Sequence, residues 1–447
     1  MPEVMFAIYH KDGNVRGIVA VVKSLASAIS IGTGASVGRE GPIIQIGASF
    51  GSTIARAFRV VRWQKITLLS AGAGAGIAAT FNTPLGGVLF AVEMLLPEVS
   101  NRTFLPVVVA TATATYAGRI AFGLDPAFIV PLARQEMLTP ADPLQLLAYA
   151  GLGILAGCAS WAFIRTLAWC EDLFPKLPGN DYVQNIIGML FIGVLAYALF
   201  LTTGQLHTAG VGYATIQDIL NATPYTMALL AVLFIAKIIA TSVSLGAGAS
   251  GGVFSPSLFI GATLGGLVGT ACNYMFPGHG FTAVEFALVG MGALVGGATG
   301  ASMTAIVMIF EMTRDYNVIV PLVLAVAIAV GIRRALIQDN IYTIKLRHRG
   351  RAIPTNRHTN MYLVRPVHEV MARNFIILPV DTPVQDALEA LHARNGAHII
   401  VSEEGRIAGV VRVGTFPIRR TGWQGRRCAI FCRATSSSRP KTTSSIR

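Results

Sequence analysis

The chain has 447 residues, of which 53% are hydrophobic and only 13% charged, with a mean hydropathy of +0.60 and a formal net charge of +13. Soluble domains are roughly a quarter charged, so this composition is that of a membrane protein and speaks against a large soluble protein, whose helices would show amphipathic faces. The positive charge is unevenly spread and lacks the interleaved aromatic platform of a nucleic-acid binder, so no nucleic-acid partner is expected.

A bilayer crossing takes about 20 residues. In chain order the predicted spans cover 17–37, 66–92, 103–118, 143–164 and 184–203, and several more lie within 238–332. In that last stretch Glu285, Glu311, Arg314 and Asp315 are the only charged side chains. Arg333, Arg334, Lys345, Arg347, Arg349 and Arg351 follow the last span and predict a cytoplasmic C-terminus. Residues 366–415 read as a small soluble α/β piece: a strand at 375–378, a helix at 383–394 and strands at 397–401 and 409–413. From 416 to 447 a Ser/Thr/Arg-rich tail with eight basic and no acidic residues predicts disorder. No cleavable signal peptide is visible. The five cysteines and eight histidines show no metal or disulfide spacing, so neither a metal nor a cofactor is expected.

Most of the 47 glycines fall in the membrane region, where small residues let helices approach closely. Two clusters exceed that role: residues 32–47, and 246–261 (GAGASGGVFSPSLFIG). Each places a proline just ahead of an apolar helical run, as if a helix opened in mid-membrane. Broken helices at matching positions of two halves point to a transporter binding site. Facing helix N-termini favour an anion there without a fixed positive side chain. Within GREGP, Pro42 suits a first helical turn, so Glu40 sits at a helix start. Its carboxylate can occupy the anion site when ionised and leave it when protonated, acting as a gate, or it can serve as an inert cap paired with Arg39. An enzyme is not expected: Gly72, Gly74 and Gly76 imitate a dinucleotide loop without its strand–helix–acid context.

Lys23, Gly38-Arg39-Glu40-Gly41-Pro42, Phe81-Asn82-Thr83-Pro84-Leu85-Gly86-Gly87, Gly251-Gly252-Val253-Phe254-Ser255-Pro256-Ser257-Leu258, Glu311-Met312-Thr313 and Tyr342 resemble, in order and spacing, the CLC chloride channels and chloride/proton exchangers. The resemblance covers residues 1–350. It implies an all-α polytopic membrane protein of the inverted-repeat CLC type, with broken helices. It further implies a likeness to a homodimer in a bacterial inner membrane, each subunit passing chloride or similar small anions and, in exchangers, protons. Glu40 matches the external gating glutamate. The Val253 and Phe254 amides match the central anion donors, and the Tyr342 hydroxyl matches the inner gate. The 366–415 piece resembles a CBS domain.

Three departures shape the expectation. The family's GSGIPE serine segment is matched only at its end, by Met1-Pro2-Glu3-Val4, which reads as a start at an internal codon with the first spans missing. The exchangers' internal proton-transfer glutamate is replaced by Met94, next to Glu93, which matches a structural glutamate shared across the family. The CBS pattern stops after Val413, which speaks against nucleotide sensing. The leading expectation is therefore voltage- or pH-gated, channel-like chloride transport with Glu40 as gate. The alternatives are a chloride/proton antiporter and, from another class, an inactive truncated fragment.

Overall fold

The apolar stretches fold as helices, most of them interrupted where the sequence places proline, glycine or asparagine. A computed structural model describes residues 1–125, 127–130, 143–350, 375–393, 398–403 and 406–411. The chain divides into two units, Met1–His358 and Thr359–Arg447. In the first unit the helices are α1 (Pro2–His10), α2 (Ile18–Gly32), α3 (Glu40–Ala57), α4 (Arg62–Phe81), α5 (Pro84–Met94), α6 (Asn101–Phe122), α7 (Pro143–Leu173) and α8 (Asp181–Thr203). They continue as α9 (Tyr213–Leu220), α10 (Met227–Gly246), α11 (Phe254–Met275), α12 (Ala283–Thr299), α13 (Ser302–Thr313), α14 (Ile319–Leu336) and α15 (Thr343–His348).

Helices α6, α7, α8, α10, α11 and α14 are long and apolar enough to cross a membrane. On α8 the apolar side chains Ile186, Leu190, Val194 and Leu201 are exposed, as on a lipid-facing surface. By contrast α11 and α12 are buried along most of their length and form the centre of the unit.

The predicted span 66–92 is two helices. Asn82 ends α4 in the left-handed region (φ 58°, ψ 36°), and Pro84 opens α5. Proline disfavours helical geometry in the residue before it, and Thr83 accordingly leaves the helix at φ −122°, ψ 79°. The same break recurs between α12 and α13, with Gly300 left-handed (φ 75°) and Ala301 at φ −95°, ψ 78°. The helices α1–α6 and α9–α14 correspond one to one in order, and packing confirms the repeat. A Cβ on Gly47 would strike the Gly72 carbonyl, and one on Gly261 the Gly290 carbonyl. Four residues on, Gly51 lies against Leu68 and Gly265 against Phe286. Each half thus closes its α3–α4 or α11–α12 pair through backbones in direct contact, the device that substitutes for hydrophobic drive in lipid.

The basic residues expected to follow the last span are not simply a charged flank: Arg333 and Arg334 lie in the last turn of α14. Arg333 is 2% exposed and donates to the carbonyls of Gly297 (3.0 Å), Ile337 (3.3 Å) and Gln338 (3.0 Å). Lys345 pairs with Glu171 (2.5 Å), Arg347 with Asp339 (2.8 Å) and Arg349 with Glu3 (2.6 Å). Arg351 lies outside the described residues.

In the second unit, β1 (Phe375–Pro379) and β2 (His398–Glu403) pair in parallel, with α16 (Val384–Ala393) between them in sequence. Strand β3 (Arg406–Val411) pairs antiparallel with β2 and begins three residues before the predicted strand. The register between the two strands shifts at Val401 and Ser402, a bulge. Ala387, Ile399 and Val401 form the buried face. The predicted disordered tail lies outside the described residues.

Close glycine packing makes a test. In Gly261→Val the new Cβ meets the Gly290 carbonyl carbon and Met291 Cα at 2.7 Å. Overpacking costs roughly 1–3 kcal/mol even where side chains can yield, so the thermal midpoint in detergent should fall by several degrees at least. Gly193 faces open space on α8, and Gly193→Ala should leave that midpoint unchanged or raise it.

Candidate functional site

The two glycine motifs meet. Gly38 and Gly252 form an isolated antiparallel bridge, exchanging N–H···O bonds of 2.8 and 2.6 Å. The residues that follow match step for step. Arg39 and Val253 are N-caps without side-chain capping bonds, Glu40 and Phe254 open α3 and α11, and Pro42 and Pro256 stand third. Equivalent residues paired antiparallel to one another lie on a local two-fold axis, so two helix N-termini converge at this point. Side chains would block the approach. A Cβ on Gly41 would lie 2.9 Å from the Gly251 oxygen, and one on Gly252 would lie 2.6 Å from the Gly41 nitrogen.

Glu40 is 1% exposed and crosses that axis. One carboxylate oxygen accepts from the Ser255 hydroxyl and from the Tyr213 hydroxyl at 3.1 Å; the other accepts from the Ser255 backbone N–H at 3.4 Å. The carboxylate therefore lies on the N-terminus of α11, the helix of the other half, rather than capping its own. Orphan amides and the helix dipole make such a position suited to an anion. Arg39 does not pair with Glu40. Its guanidinium stands 5.6 Å from the Tyr213 ring centre and donates to the Thr80 carbonyl at 3.4 Å.

Cavities flank this knot. One of about 80 Å³ is lined by Gly41, Gly251, Gly252, Val253, Phe254 and Tyr342, together with Glu171 and Lys345. The other, about 470 Å³, is lined by Arg39, Asn82, Arg119 and Tyr213 among others. Arg39 opens on the larger and Gly41 on the smaller, and Glu40 lies between them in the chain. Phe254, 4% exposed, packs on Phe81 with ring centres 5.4 Å apart. Pro256 lies against Gly38. The structure thus gathers Gly38, Arg39, Glu40, Gly41, Pro42, Gly251, Gly252, Val253, Phe254, Pro256 and Tyr342 around the bridge. Met94, 3% exposed, belongs to the same apolar core as Val253, Phe254 and Tyr342.

Sequence reasoning missed Tyr213 and Ser255. Ser255 lies within the quoted motif, and the register of the repeat makes it the counterpart of Gly41. Tyr213 carries no local signal beyond an aromatic residue after Gly-Val-Gly.

Glu93 and Glu311 form a second symmetric feature. At the end of α5, Glu93 accepts from the backbone N–H of Met303 (3.3 Å) and Thr304 (3.0 Å) and from the Thr304 hydroxyl (2.8 Å), capping α13. At the end of α13, Glu311 accepts from Leu85 N–H (3.1 Å) and Gly86 N–H (2.7 Å), capping α5. Each carboxylate satisfies the helix start that the other helix presents. Glu93 is a capping group in this structure, as its family match implies.

Fold and site define a polytopic membrane protein of internally repeated, broken helices whose N-termini meet at its centre. Residues 1–334 match the family model described as voltage gated chloride channel, and residues 367–415 match that of the CBS domain. The "Putative chloride channel protein ClcB-like" of Ralstonia nicotianae is 34% identical over 327 residues, 72% of this chain and 73% of its own length. The H(+)/Cl(−) exchange transporter ClcA of Salmonella agona is 33% identical over 307 residues, 68% of this chain but only 64% of its own length. The crystal structure of a slow cyanobacterial Cl−/H+ antiporter superposes with a TM-score of 0.66 at 26% identity, covering 78% of this chain and 84% of the other. The chain belongs to the voltage gated chloride channel family, the CLC family, and is an integral membrane protein.

The reciprocal caps predict that Glu311→Ala leaves two N–H groups of α5 without an acceptor. The Gly86 bond is part-buried and the Leu85 bond exposed, so the loss should lie toward the low end of the roughly 1–3 kcal/mol cost of a buried unsatisfied group, read as a lower thermal midpoint in detergent. Glu311→Gln, which keeps an acceptor oxygen, should lose less.

Proposed function

We propose that the protein moves chloride across the membrane in exchange for protons, with Glu40 as the proton-sensitive gate. The observation that carries this reading is the Glu40 carboxylate lying on the α11 N-terminus, with its neighbour Arg39 and its partner Tyr213 lining one cavity and its neighbour Gly41 the other. An ionised carboxylate there holds the place of a permeant anion. Protonation removes the charge that competes with chloride and frees the side chain to move, so one group handles both ions in turn. The antiport reading is preferred to the gated channel expected from the sequence because relatives that share a third of its residues are named exchangers. A channel remains the second reading, favoured by one observation: Met94 is apolar and buried where exchangers carry their internal glutamate. Chloride, rather than another small anion, is inferred from the names of those relatives.

The same reading takes the protein to be a homodimer in a bacterial inner membrane with its C-terminus in the cytoplasm. Exposed apolar residues on the symmetric helices α5, α6 and α13 (Leu85, Leu105, Val109, Met303) offer a subunit contact.

The chain reconstituted in liposomes, under an imposed chloride gradient, should drive protons uphill. Chloride flux without proton movement would support the channel, and no flux of either ion would support the inactive fragment. Glu40→Gln should abolish proton movement and leave chloride flux that varies less than about twofold over the pH range in which a carboxylate titrates. A pH profile identical to that of the parent would return Glu40 to a capping role.

A further inference from the structure

We infer that Tyr213 is a positioning residue that latches the ionised Glu40 carboxylate in the anion path; this rests on the gating role of Glu40 proposed above. The Tyr213 hydroxyl lies 3.1 Å from the Glu40 oxygen and 2.7 Å from the Ser255 hydroxyl, which itself donates to that same carboxylate oxygen. An ionised carboxylate only accepts, whereas a protonated one presents a donor of its own. The two hydroxyls are therefore arranged for the charged form. When Glu40 takes a proton, its hydrogen bonds to the two hydroxyls lose the charge that made them strong, and the hold loosens. The latch thereby makes release of the gate depend on protonation.

The ring is placed with little freedom. Phe128 meets it edge-on at 5.3 Å, and Arg39 stands 5.6 Å from its centre. The chain enters α9 through Gly212, left-handed at φ +85°, where a Cβ would lie 2.7 Å from the Phe259 ring. The loop before it is pinned from α10 by Lys237, fully buried, whose ammonium donates to the carbonyls of Thr208 (3.2 Å) and Gly210 (3.0 Å) and lies 5.0 Å from the Phe259 ring centre. A buried ammonium kept by two loop carbonyls and a ring fixes the segment that delivers the phenol.

Few other ionisable groups bear on the gate. Arg39 precedes it on its own turn, and Tyr342 lies within electrostatic range. Helix α11 carries no acidic or basic side chain. On α4, Lys65 bonds Asn14 and Arg62 pairs with Asp12, both at the far end of α3. Lys23 of α2 and Lys345 of α15 approach Met1 at the smaller cavity, as does Glu3 of α1. Tyr213 is thus the ionisable side chain in direct hydrogen-bond contact with the carboxylate among the described residues.

Tyr213→Phe removes the hydroxyl and keeps the ring. In liposomes, chloride flux at about pH 7.5, where a carboxylate is ionised, should rise about tenfold, the weight of one hydrogen bond to a charged group. Near pH 4.5 the variant and the parent should converge. Ser255→Ala should behave likewise, which guards against misfolding of either variant alone. In a Glu40→Gln background, Tyr213→Phe should change flux less than twofold. An equal rise in that background, or a pH profile unchanged in both single variants, would overturn the latch. If Glu40→Gln alone leaves the profile intact, the gating role fails and the latch with it. If Glu40→Gln flattens the profile while Tyr213→Phe follows the parent, the latch alone is overturned.

Discussion

Two hydrogen bonds between Gly38 and Gly252 hold the centre of this protein together. In an apolar interior, backbone groups that leave a helix need partners, and non-helical backbone survives only where protein or a cavity meets it. The bridge supplies those partners for two broken segments at once. It also leaves the next amides, at the starts of α3 and α11, without intrahelical acceptors. Satisfying the break and bringing two helix N-termini together, the geometry that suits an anion, are thus one event, and glycine at 38, 41, 251 and 252 permits the approach that both require.

The reciprocal caps of Glu93 and Glu311 show the same problem solved differently. Helices α5 and α13 also begin inside the protein, and each start is satisfied by a carboxylate from the end of the other. Those carboxylates accept from backbone amides at 2.7–3.3 Å. Glu40 accepts one long backbone bond and two hydroxyls, and its neighbours Arg39 and Gly41 line separate cavities. A carboxylate tied to hydroxyls, which can reorient, is easier to release than one tied to the fixed amides of a helix start. Two of the three glutamates thereby brace helix starts through backbone amides, and one is held mainly by hydroxyls.

What could be read from the sequence follows from how local the signals were. GREGP and GGVFSPS each announce a helix start through Gly and Pro within five residues, and the structure joins the two. The break at Asn82-Thr83-Pro84 was equally local, yet the apolar run 66–92 hid it, because hydropathy does not register a left-handed asparagine. Arg333 looked like a flanking charge, since sequence position after a span cannot show that three carbonyls close over a side chain. Tyr213 was invisible for a different reason. It reaches Glu40 across 173 residues, and its placement depends on a loop whose order comes from Lys237. That lysine, alone in an apolar helix, was the one trace in the sequence, because an intramembrane cation needs partners.

The repeat also explains why the meeting point of the two helix starts is occupied by a side chain of the protein itself. If the halves were identical, both helix starts would carry the same side chains, and an anion would face a symmetric cradle. They differ at the first two positions of the broken helices. The first half has Glu-Gly, the second Phe-Ser. Glycine at 41 clears space for the opposing backbone. Serine at 255 offers an amide and a hydroxyl, and the glutamate at 40 crosses the axis to take them. Phe254, its counterpart, has no charge to send back and packs on Phe81 instead. Symmetry brings the two helix ends together; the substitution of one carboxylate for one phenyl ring makes the occupant of the junction a part of the protein itself.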